Sequence, residues 1–125
     1  MKNGRVVAAL MIAVGLPTAA TAAPHDTVVL QTLDKVTARV STVEVKVGRM
    51  LKFGTLEIIA RHCDKRPPEE TPESASFVDI WERRPGEKPK GLFSGWMFAS
   101  SPALNALEHP VYDVWVIDCR NAGKP

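Results

Sequence analysis

Ser100, Ser101, His109 and Asp113 lie close together in the sequence, and a hydroxyl, an imidazole and a carboxylate are the parts of a nucleophilic hydrolase. Their surroundings argue for structure instead. No Gly-x-Ser-x-Gly turn is present to expose either serine, and Ser101-Pro102 reads as an N-cap followed by proline at the first helical position. Asp113 shares a strand phase with Trp115 and Ile117, so a partly buried carboxylate beside His109 is expected to make a structural hydrogen bond. An envelope hydrolase using His109 and Asp113 is the rival reading. Glu57 and Glu82 form no spacing that marks a glycosidase acid/base pair. Trp81, Trp96, Trp115 and Tyr112 are residue types that a sugar- or peptidoglycan-binding face uses, but aromatic side chains in small β-domains serve mainly as core.

His62, Cys63, Asp64 and Cys119 include metal-ligating types, yet adjacent ligands lack the C-x₂-C or H-x₃-H spacing of structural zinc. No metal or other cofactor is implied. Cys63 and Cys119 are the only cysteines, and in an oxidising compartment their pairing is expected. The bridge closes a loop of about 57 residues, worth roughly 4 kcal/mol by the chain-entropy argument.

The elements that must position these groups are those of one small domain. The chain has 125 residues, a formal charge of +2, 45% apolar and 24% charged residues, ten prolines and eight glycines, which excludes several domains and excludes a disordered chain. Lys2 and Arg5 precede an uncharged apolar run, Val6 to Leu16, then Pro17 and the small residues Thr18-Ala19-Ala20-Thr21-Ala22. That order is a secretory signal peptide, and a run of about 16 Å as a helix is short for a hydrocarbon core of ~30 Å. Cleavage is expected after Ala22, because a cut after Ala23 would set Pro24 beside the scissile bond. The mature chain then carries 14 basic and 14 acidic groups, a balance that gives no electrostatic footprint for nucleic acid or anionic lipid, and no membrane span is expected in it.

Residues 23–34 read as a lead-in with one short β-rich run, Thr27 to Leu30. Residues 35–120 read as a single β-rich domain and 121–125 as a tail. From Val36 the pattern has period two and slips phase at Ser41-Thr42, which predicts a bulge or bend. Gly48-Arg49 is a predicted turn, Met50 to Phe53 a return strand, and Gly54 a second break. Leu56 to Cys63 is a strand covered on both faces. The charged, proline-rich stretches 66–73 and 83–91 are loops, with Ser76 to Trp81 a strand between them. Leu92 to Ala99 is an aromatic strand containing Gly95, Pro102 to Glu108 a helix of about two turns pinned by Leu104 and Leu107, and Val111 to Cys119 a central last strand. Strands with one short helix near 102–108 predict an all-β, mainly antiparallel domain, a small sandwich or open barrel.

The run from Gly91 to Cys119, with Phe53-Gly54-Thr55-Leu56, Cys63, Arg66-Pro67-Pro68-Glu69-Glu70 and Phe77-Val78-Asp79-Ile80, resembles the hallmark segments of domain of unknown function family 2155 over about residues 34–120. The resemblance implies an exported envelope protein of Gram-negative bacteria, in the periplasm, with no catalytic residues to carry over. The family is associated with genes near an accessory subunit of respiratory complex I, which makes an accessory or assembly factor of a membrane respiratory complex an alternative. The leading expectation is a non-catalytic β-domain that binds or scaffolds another envelope component, a protein, through Trp96, Met97, Asn105, Glu108, His109 and Tyr112.

Overall fold

The structure, a computed structural model, describes residues 3–4, 8–16 and 22–123. Pro17 to Thr21, and with them most of the expected cleavage motif, lie outside the described residues. Residues 8–16 form no helix or strand, and Leu10, Met11, Ile12, Val14 and Leu16 are exposed. No helix among the described residues is long and apolar enough to cross a membrane.

Among the described residues nine antiparallel strands make two sheets. The first holds β1 (Ala23–Pro24), β4 (Met50–Phe53), β5 (Leu56–Lys65), β6 (Ser74–Glu82) and β7 (Lys90–Phe98), in the order β1-β5-β6-β7 with β4 on the other half of the β5 edge. The second runs β3 (Arg39–Lys46), β2 (Thr27–Asp34), β9 (Tyr112–Arg120), β8 (Leu107–Glu108). The chain crosses between sheets at two neighbouring corners, 25–26 and 47–49, and again through 99–106 between β7 and β8. Val47 N–H donates to Asp26 C=O and Gly48 N–H to Ala60 C=O, both 2.8 Å, and Gly48 takes the left-handed φ of +86° that such a corner requires.

The alternation of β6 decides the layering. Ser74, Ser76, Val78, Ile80 and Glu82 turn inward while Ala75, Phe77, Asp79 and Trp81 turn outward. Val28 and Leu30 of β2, Leu56, Ile58 and Ala60 of β5 and Val114 and Val116 of β9 complete the core between the sheets. Burial of this apolar surface, at about 25 cal/mol per Å², is the main force holding the layers together. Cys63 on β5 and Cys119 on β9 are disulfide-bonded with a Cα–Cα distance of 5.6 Å, so the bridge links one sheet to the other.

The all-β, antiparallel architecture is as the sequence predicts; several local expectations are corrected. The helix at 102–108 is absent. Residues 102–104 make one turn, with Leu104 N–H on Ser101 C=O at 3.1 Å, and Leu107–Glu108 is a strand on β9. Leu104 is 75% exposed and Leu107 5%, so they share no face. Seven residues are too few to sustain a helix on their own, and pairing with β9 offers Leu107 a buried position. The phase slip at 41–42 is not a bulge, because β3 pairs with β2 from Arg39 to Lys46 without a shift; the break is the turn 35–38, where Ala38 has φ +54°. The Thr27 run extends to eight residues and lies at the centre of the second sheet. Gly95 marks no bulge; the β6–β7 register shifts between Ile80 and Trp81, opposite Leu92.

Candidate functional site

Phase brings Glu82 to the inner face at the last position of β6, and the β8–β9 turn delivers His109 to it. His109 Nε2 is 2.7 Å from Glu82 Oε2, with both side chains nearly covered. Val111 N–H donates to His109 Nδ1 at 3.0 Å, so Nδ1 is the acceptor and the proton on Nε2 points at Glu82. Glu82 also accepts from Thr55 Oγ1 at 3.0 Å and Arg84 Nε at 3.1 Å. Burial works against its charge, yet the Thr55 hydroxyl, His109 and Arg84 outweigh that and hold the Glu82 carboxyl below the usual glutamate range. Tyr112 stacks on the His109 ring, 5.5 Å between centroids, and meets Phe53 edge-on. Its phenol lies over Gly54, where any Cβ would collide with it and where φ is +57°.

Asp113 does not meet His109. It pairs with Lys35, whose Nζ is 2.9 Å from Asp113 Oδ1 and also donates to His109 C=O at 2.9 Å. Ser100 donates its amide and its hydroxyl to Glu73. Glu73 precedes β6 and Glu82 ends it, so Ser100 and His109 sit at opposite ends of a nine-residue strand, about 30 Å apart at 3.3 Å per residue. A Ser–His–Asp constellation is therefore not assembled. Ser101 has no helix to cap. Glu57 is held by Arg83 at 2.6 Å on the outer face and Glu82 by His109 on the inner, which separates that carboxylate pair as well. Both cysteine sulfurs are spent on each other, leaving none to ligate zinc. Among the described residues no group of three His, Cys, Asp or Glu side chains converges as a metal site.

The candidate surface residues divide. Met97, 1% exposed, and His109, 7% exposed, belong to the interior. Trp96, at 37%, lies on the outer face of the first sheet, with its ring against His62 and Phe77. Asn105 and Glu108 are exposed and Tyr112 is half-buried. Asn105 Nδ2 donates to Trp96 C=O at 2.9 Å and so braces the outer edge of β7. The sequence reading missed Glu82 as the partner of His109. Extending the β6 alternation by one step past Ile80 was the signal that could have found it.

The fold and its interior thus define a small two-sheet β-domain, cross-linked between sheets, whose reactive groups are tied to one another and whose outer faces are open. The chain belongs to the family of uncharacterized proteins conserved in bacteria, DUF2155, which matches residues 28–119. It is similar to an uncharacterized protein of Rickettsia prowazekii (strain Madrid E), 33% identical over 87 residues, covering 70% of this chain and 56% of that relative. The chain therefore spans only about half the length of the curated relative it matches. No solved structure matches it.

Proposed function

We propose that the protein is a non-catalytic, exported β-domain that binds another envelope protein through the side of the molecule where Trp96, Asn105, Glu108 and Tyr112 meet solvent. One observation carries the reading. His109, Glu82, Asp113 and Ser100 each have partners within the fold, whereas the Glu108 carboxylate has none among the described residues and the Trp96 ring is partly bare. None of these pairs sets a serine against a histidine, as acyl-transfer catalysis would need, while an exposed aromatic edged by polar groups suits a protein contact.

Export with cleavage after Ala22, and a periplasmic location, are supported by the order of charged, apolar and small residues over 2–22, by the exposure of the apolar side chains among the described residues 8–16 and by a disulfide suited to an oxidising compartment. An accessory or assembly factor of a membrane respiratory complex is one form such a binding role takes. The test is paired capture and melting of Glu108→Ala protein in envelope extracts. Weakened capture of the crosslinked partner at an unchanged melting temperature is expected. Unaltered capture by a destabilised variant would make Glu108 structural and overturn the surface.

A further inference from the structure

The outer face of the first sheet, which bears Trp96 near one end, carries a second set of side chains beyond it, on a different sheet from Glu108 of β8. Trp81 lies opposite Gly91 in the β6–β7 ladder. A Cβ on Gly91 would sit 3.8 Å from Trp81 Cδ1 and 3.9 Å from Nε1, so the pyrrole half of the indole rests against the glycine. Trp81, Gly91, Asp79 and Ser94 line an open depression of about 390 Å³. The Trp81 Nε1–H donates to no described residue.

Two arginine–carboxylate pairs flank this ring. On one side Arg61 Nε is 2.8 Å from Asp79 Oδ2 and Ser94 Oγ donates to Asp79 Oδ1 at 2.6 Å. Arg61 reaches Asp79 because it is the extra residue where the β5–β6 register shifts between Ala60 and His62. On the other side Arg83 Nε is 2.6 Å from Glu57 Oε1, and Glu57 is the cross-strand partner of Trp81. Both carboxylates are largely covered and so fixed in place. Hydrogen bonds from Ser94 and Arg61 hold the Asp79 carboxyl below the usual aspartate range.

We infer that this depression is a binding site for an uncharged pyranose saccharide. The face of a tryptophan is electron-rich and attracts the polarised C–H face of a sugar ring. The fixed carboxylates, the remaining guanidinium N–H groups and the indole N–H supply acceptors and donors around it for the ring hydroxyls. Each of the two arginines is already matched by a carboxylate, so neither calls for an anionic ligand. An apolar side chain of a protein would gain little here, because the depression is shallow and its rim is charged.

The experiment is an amide and indole NMR titration of the disulfide-bonded protein with chitotetraose and with cellotetraose. Saturable shifts are expected at the Trp81 indole N–H and at the Gly91 and Ser94 amides with at least one of the two. Trp81→Ala should weaken binding by about tenfold or more, a difference of about 1.4 kcal/mol. Trp81→Phe, which keeps a ring and guards against loss of fold, should weaken it several-fold. Glu108→Ala should bind as the parent does, which separates this site from the protein surface proposed above. Absence of saturable shifts with both saccharides, or binding that persists undiminished in the Trp81 variants, overturns the inference.

Discussion

The two ends of the sandwich are closed by different chemistry. At one end the Cys63–Cys119 bridge joins β5 to β9 covalently, and Asp118 beside it accepts from Lys65 Nζ at 2.8 Å and from the Cys119 amide at 2.9 Å. At the other end the same two sheets are joined by a buried hydrogen bond between Glu82 and His109, backed by Tyr112 over Gly54. The covalent closure acts mainly by restricting the unfolded chain. The polar closure acts only in the folded state, and removing His109 takes one of three donors from a largely covered carboxylate. A histidine and a glutamate that would look catalytic in a list of residues are here the non-covalent counterpart of a disulfide.

Breaking the covalent end should have the largest effect. Reduction is expected to remove roughly 4 kcal/mol, which for a domain of this size lowers the melting temperature by about 15–30 °C; melts with and without reductant measure it. At the polar end, His109→Ala should cost about 1–3 kcal/mol by removing one of the donors to the covered Glu82 carboxylate, and His109→Gln less, because its amide retains a donor; urea unfolding checks both.

Acid sharpens the same contrast. The Glu82 carboxyl is held below its ordinary value of 4.5, and burial of Asp118 is likewise outweighed, by Lys65, so that its carboxyl lies below 3.8. A depressed folded value means the stabilisation is fully present above the ordinary value and is lost as pH falls through the lower folded one. Stability should therefore be flat near neutrality and fall below about pH 4.5. Glu82→Gln should flatten part of that fall, as read from urea midpoints across the acid range.

The smallest effects belong to the turn at 99–105. Asn105→Ala, which loses the bond to Trp96 C=O, should cost about 1 kcal/mol. Ser101→Ala should fall within about 0.5 kcal/mol, because no helix is there to cap; a loss near 1 kcal/mol in thermal melts would reinstate the cap.

Much of the fold is legible from residue types. Period-two alternation in β6 and β9, glycines at 48 and 54 and prolines between 67 and 72 mark strands, turns and a loop at their observed places. What misleads is local signal overridden by pairing. Ser101-Pro102 has the chemistry of a helix start, but Leu107 is worth more in a ladder with Val114. By strict alternation Ile117 and Cys119 share a phase, yet the β2–β9 register shifts between Val29 and Leu30, opposite Ile117, and Cys119 turns inward with Val114 and Val116. The candidate site was legible as a set of residues and not as a set of pairs. His109 finds Glu82, 27 positions away in sequence, through a sheet-to-sheet contact that no local period encodes. Asp113 is drawn instead to Lys35 across the β2–β9 ladder.

The central claim is that the interior polar groups close the fold while binding belongs to the open side bearing Trp96 and Glu108. Photocrosslinking from single probes at Glu108, Trp96 and, on β3 at the far edge of the second sheet, Val40 tests it most directly in intact cells. The account predicts one discrete envelope-protein adduct from the Glu108 and Trp96 positions and none from Val40. Adducts from Val40 alone, or no adduct at any position, would contradict it.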